Sequence, residues 1–182
     1  MPKRKPHLDG RSKKPSAATT DPETIFFYLP NEQPYGVFCQ WHPSPITLPT
    51  ASLHFLGVQS PATTTTTITT TTTAAAILGK YDPDMTFICA EQVYMFAKAL
   101  FFGGAWTCTR ILATSDPKEQ KKLGQRVEGL NEWKWTQVKS RVVRVGNWYK
   151  FRGKGRLRDV LLGTGEKESA EANRSNRVWG IG

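Results

Sequence analysis

The stretch "FICAEQVYMFAKALFF", residues 87–102, constrains this chain more than any other. At 3.6 residues per turn, residues 88–102 wind into a helix that is apolar almost all round. Val93, Phe96, Ala97 and Leu100 cover one side, and Tyr94, Met95, Phe101 and Phe102 flank the other. Only Gln92 and Ala99 leave a narrow neutral strip. A helix without a polar face is a buried helix, so the rest of the domain has to be built around it. Two charges interrupt the pattern. Glu91 and Lys98 fall on nearly the same line, two turns apart, and so project into an enclosed space rather than into bulk water.

Buried charge is costly unless it is paired. Seven residues of helix rise about 10 Å, too far for an easy direct contact between the two, so each calls for another partner. Two readings are open at this point. Glu91 and Lys98 are satisfied by unrelated core groups, or they form a reactive site. In the second reading a dry environment favours the neutral amine, a nucleophile able to form a Schiff base with a sugar aldehyde. A buried glutamate beside it moves protons.

Around this helix the chain reads as one mainly α domain with a few short strands. Residues 1–24 are rich in Pro, Lys, Ser and Thr and are read as a disordered basic tail, within which "PKRKP" is a candidate nuclear-import signal. "IFFYL" at 25–29 is β-prone and opens the folded domain. Five prolines between 30 and 49 exclude a helix there, while Tyr35, Phe38 and Trp41 make the segment a packed loop. "TTTTTITTTTT" at 63–73 marks a low-complexity insertion over about 58–80 inside one domain spanning 25–182. Helices follow. One starts at Ser115 or Asp116 with Pro117 in its first turn, another covers 132–150, and a short one in "GRLRDVLLGTG" ends at Gly163.

The formal charge of +10 is distributed unevenly. The tail carries Lys3, Arg4, Lys5, Arg11, Lys13 and Lys14 against Asp9, and a second basic block runs from Arg141 to Arg158. Such charge suits a phosphorylated ligand or nucleic acid, or else a solvated helix face. Cys39, Cys89 and Cys108 lack metal-like spacing and read as reduced, buried thiols of an intracellular protein, cytoplasmic or nuclear. His7, His42 and His54 are scattered, no metal site or cofactor is assigned, and no stretch is apolar enough to cross a membrane. At the C-terminus, Arg174 and Arg177 are candidates to clamp a phosphate, and Trp179 to stack on a base. Gly180 and Gly182 would let backbone approach a ligand, and a glycine turn around a core tryptophan is the other reading.

The ordered blocks "YGVFCQWHPSP", "CAEQVYMFAKALFF", "ILATSDPKEQKKLGQRV" and "KFRGKGRLRDVLLGTGEKESAEANRSNRVWGIG" resemble the NADAR, or YbiA-like, family from about Phe26 to Gly182. The resemblance implies a compact, mostly helical fold and an N-glycosidase that hydrolyses a ribose C1–N bond. Its substrate would be a phosphorylated intermediate of riboflavin biosynthesis or an ADP-ribosylated guanine. It implies that Glu91 and Lys98 are the essential pair, and that Gly36, Phe38 and Trp41 form the glycine–aromatic loop. Trp179, Gly180 and Gly182 match the terminal ligand-binding motif. Tyr94, beside the Glu91–Lys98 line, joins them as a substrate contact. The chain departs from the family pattern at Asn176, where an Asp is usual, at Gly153 and Lys154, where Gln and Asn are usual, and at Gln125, where an Arg is usual. It also stops at "WGIG", where members continue into a further helix, which reads as a C-terminal truncation. The alternatives to an enzyme are a non-catalytic nucleotide- or nucleic-acid-binding module and an inactive, truncated family member.

Overall fold

A computed structural model describes residues 24–57, 74–153 and 155–172. In chain order the elements are β1 (Ile25–Phe27), a 3-10 turn (Tyr35–Phe38), β2 (Ile46–Pro49), a second 3-10 segment (Thr50–Leu56) and β3 (Asp84–Phe87). The helices α1 (Ala90–Phe101), α2 (Ala105–Ala113), α3 (Pro117–Gln125), α4 (Glu132–Phe151) and α5 (Arg156–Leu162) follow, and β4 (Ser169–Glu171) comes last. The result is the mainly α, α+β fold that the sequence implies.

Helix α1 is the axis of the domain. Every residue of it except Tyr94 is buried, including the neutral strip, and α2, α3 and α4 all pack against it. Gln92 shows how that strip is accommodated. Its amide donates to the carbonyls of Ile111 and Thr114 at 2.8 and 3.2 Å and accepts from the Ile88 N–H at 2.8 Å. A buried amide in a dry core has to find such partners. On the strand side, the antiparallel β2–β3 pair matches Ile46 with Phe87 and Leu48 with Met85, and the Phe87 ring meets Phe96 of α1 edge-on at 5.4 Å. Burying a side chain of this size contributes roughly 1.5–3 kcal/mol.

The helix boundaries follow their capping chemistry. Asp116 caps α3, its carboxylate accepting from Lys118 N–H at 3.0 Å with Pro117 in the first turn. Asn131 caps α4 in the same way, accepting from Lys134 N–H at 3.0 Å. Gly163 caps α5. Residues 74–78 are helical, and Ala74, Ile77 and Leu78 enter the core. The end of the segment read as an insertion over about 58–80 is therefore part of the packed domain. The short pattern "AAAIL" was masked by the low complexity before it. The tail at 1–23 and residues 58–73 lie outside the described residues.

The two ends of the described chain meet. β1 and β4 pair in parallel, Ile25 with Ser169 and Phe27 with Glu171, a link across more than a hundred residues. Neither β4 nor β2 was legible as a strand, because three or four residues carry too little alternation.

Helix α3 approaches α1 closely at Gly124. A Cβ on Gly124 would sit 2.2 Å from the Met95 sulfur and 3.2 Å from its Cβ. Gly124→Ala forces Met95 aside in a filled core. The expected result is a loss of about 1–3 kcal/mol, seen as an earlier midpoint in urea with the slope unchanged.

Candidate active site

The first turn of α1 presents Glu91 and its last turn presents Lys98. Both side chains are buried, at 8% and 7% exposure, and both line one cavity of about 1470 Å³. The two charges that interrupted the apolar pattern thus share one compartment.

Their surroundings differ. Lys98 Nζ donates to Glu132 Oε1 at 3.1 Å, and Glu132, at the start of α4, is largely exposed. The partner expected from another segment is therefore a carboxylate at the cavity's edge. The Lys98 ammonium also lies 5.9 Å from the centroid of the Trp135 ring. Among the described residues, Glu91 has no such counter-ion at contact distance. Its Oε1 is buried without a hydrogen-bond partner among the described residues. Burial pushes its carboxyl up to about 7, opposed by the positive charge of Lys121 and a hydrogen bond from the Trp41 side chain. A carboxyl poised near neutrality both gives and takes a proton at working pH.

The loop facing Glu91 is tied down at two points. Glu91 N–H donates to Gln40 O at 3.0 Å, and Lys150 Nζ donates to Cys39 O at 3.0 Å. Lys150 is 4% exposed, and burial lowers its amine to about 8. In the sequence it stands as one lysine of the basic block from Arg141 to Arg158. The missed signal is its position on α4 four residues after Gly146, on the side that packs inward. Cys39, carried by this loop, is only partly buried, whereas Cys89 and Cys108 are fully buried thiols.

Of the other residues singled out by sequence, Phe38, Trp41 and Tyr94 line the cavity. The Tyr94 hydroxyl accepts from Trp135 Nε1–H at 2.9 Å. Gly36 is not among the lining residues. It is buried in the 3-10 turn, where a Cβ would stand 2.7 Å from Leu29 O and 2.9 Å from Pro30 O. Its role is to let the turn pack under residues 29–30, which themselves line the cavity. Gln125 lines the cavity as well. Arg174, Arg177, Trp179, Gly180 and Gly182 lie outside the described residues, as does Asn176.

With this geometry in place, comparison with known proteins decides the family. The NADAR domain model matches residues 26–182. The chain belongs to the NADAR family. N-glycosidase R617 of Acanthamoeba polyphaga mimivirus is 38% identical over 96 residues, 53% of this chain and 56% of that protein. Protein irg-1 of Caenorhabditis elegans is 30% identical over 100 residues, 54% of this chain and 47% of that protein. In each case the alignment spans about half the length of the curated relative. Among the described residues of this NADAR chain, no helix is long and apolar enough to cross a membrane.

The raised Glu91 carboxyl has a consequence for stability. Between the ordinary carboxyl value of 4.5 and about 7, the folded chain holds a proton that the unfolded chain has released. The favourable contribution is therefore complete below 4.5 and is lost as pH rises through about 7. Glu91→Gln removes that loss. The expected result is a gain of roughly 1–3 kcal/mol at pH 8 and none at pH 4.5, measured by urea unfolding at both values.

Proposed function

We propose that this chain is an N-glycosidase that hydrolyses the C1–N bond of a phosphorylated ribosyl compound, with Lys98 and Glu91 as its reactive pair. The observation that carries the reading is one cavity lined by both side chains, with a carboxyl near neutrality that lacks a full set of partners. The family membership and the name of the mimiviral N-glycosidase support it.

The chemistry follows from the groups present. An N-riboside opens at its ring oxygen to an imine at C1. Lys98 parts from Glu132, 3.1 Å away, releases a proton to water, and adds its lone pair to C1. Glu91 protonates the departing nitrogen, the C1–N bond breaks, and C1 is held as a Schiff base on Nζ. Glu91, now ionised, takes a proton from water as it adds to C1. Collapse of that adduct frees the sugar aldehyde and the amine. The dry walls around Glu91 keep its proton on the reaction path rather than in solvent. Candidate substrates are an early riboflavin-type intermediate and an ADP-ribosylated guanine, since both present a phosphorylated ribose on nitrogen.

The test is incubation of wild type, Lys98→Ala and Glu91→Gln with both substrates, with release of ribose phosphate or ADP-ribose followed. Lys98→Ala is expected to abolish release, and Glu91→Gln to slow it about a hundred- to ten-thousand-fold. Sodium borohydride is expected to trap a sugar on Lys98 of the wild type. Unaltered release by both variants would overturn the assignment of Lys98 and Glu91, and absence of release by the wild type would favour the non-catalytic binding module instead.

A further inference from the structure

The cavity is larger than the reaction needs. Small-ligand sites occupy about 300–1,000 Å³, and this one reaches about 1470 Å³. The extra wall is a face of α4 that the chemistry does not use. Arg144 and Trp148 stand four residues apart on that helix, and Arg152 caps its end after four more. Residues at this spacing share a helix face, and all three line the cavity. The outer positions are about 12 Å apart along the axis, one on each side of the indole.

Trp148 is 64% exposed although it lines a cavity. Trp106 and Trp133 are as exposed, at 69% and 72%, but neither lines the cavity, and Arg110 already sits over the Trp106 ring at 5.4 Å. Exposed aromatics scattered singly need no explanation, whereas an indole between two guanidinium groups on a cavity wall does. Neither Arg144 nor Arg152 forms an ion pair among the described residues. Arg152 packs its guanidinium 4.8 Å from the centroid of the Tyr149 ring, and the Tyr149 hydroxyl is within 2.8 Å of Ser52 Oγ. Arg152 is thereby supported from behind by an aromatic ring and, among the described residues, pairs with no carboxylate. Across the described lining, six cationic side chains face three carboxylates.

From this arrangement we infer a second subsite on α4 that takes a nucleotide unit, its base stacked on Trp148 and its phosphates held by Arg144 and Arg152. A flat ring between two forked cations matches the chemistry of base and phosphate together. The subsite rests on and deepens the hydrolytic reading, since of the two candidate substrates the ADP-ribosylated guanine carries such a unit, while binding there requires no turnover. It receives either a free nucleotide or one unit of a nucleic-acid strand.

Two probes on the full chain separate those sources: AMP by calorimetry, and a fluorescein-labelled oligothymidylate of about ten nucleotides by anisotropy at low salt. Trp148→Ala is expected to weaken the bound probe about tenfold or more, while Trp148→Phe retains most of the affinity. Arg144→Ala with Arg152→Ala is expected to lower the salt slope for the oligonucleotide by about 1.4. Binding of AMP at similar strength assigns the subsite to a free nucleotide, and binding of the oligonucleotide alone assigns it to a strand. Absence of binding by both probes overturns the inference. So does unchanged affinity in Trp148→Ala, or a loss in Trp148→Phe as large as in Trp148→Ala. Because the readout is binding, its failure leaves the Lys98 and Glu91 chemistry standing. Unaltered release by the Lys98→Ala variant would leave the subsite standing.

Discussion

A carboxyl held in a dry wall without full hydrogen bonding is the constraint around which this domain is organised. Glu91 belongs to the most completely buried helix, and its Oε1 has no partner among the described residues. An orphaned polar atom of this kind costs free energy that a purely structural residue would not keep. The hydrolysis proposed above would put that proton to use. The same burial that weakens the fold at high pH brings the carboxyl to about 7, where proton transfer in both directions is easiest. Stability and reactivity are here opposite readings of one desolvated group.

The rest of the site is a set of supports for that group. Lys150 is buried far from the chemistry in sequence, yet its hydrogen bond to Cys39 O and the Glu91 N–H bond to Gln40 O fix the loop that carries Trp41. Gly36 lets the preceding turn lie close beneath residues 29–30. The parallel pairing of β1 with β4 brings Phe27 and Glu171 to the same wall. Lys98 is supported differently, by an ion pair with an exposed glutamate that opens at little cost. Of the two residues proposed as the reactive pair, one is therefore locked in a dry wall, and the other is held by a contact that opens easily.

Much of the helical framework was legible along the chain. Asp116, Pro117 and Gly163 mark helix ends because capping is a local matter of a few residues. The burial of α1 was legible because its apolar residues leave no face for water. Strands β2 and β4 were not, since so few residues carry no periodic signal. Residues 74–78 were hidden by the threonine tract before them. Lys150 was missed because a lysine in a basic helix looks like every other solvated lysine until packing decides which one points inward.

The sequence alone determined that one helix is buried on all sides and that Glu91 and Lys98 go down with it, because hydrophobic periodicity belongs to the chain. Only the tertiary structure decided what each of them meets there. Glu132, Trp41 and Lys121 come from three other segments, and no local pattern encodes a distance between segments. The Arg144–Trp148–Arg152 face was likewise written in the spacing along α4. That it borders the cavity rather than open solvent depends on how α4 packs against α1, which is a property of the assembled core.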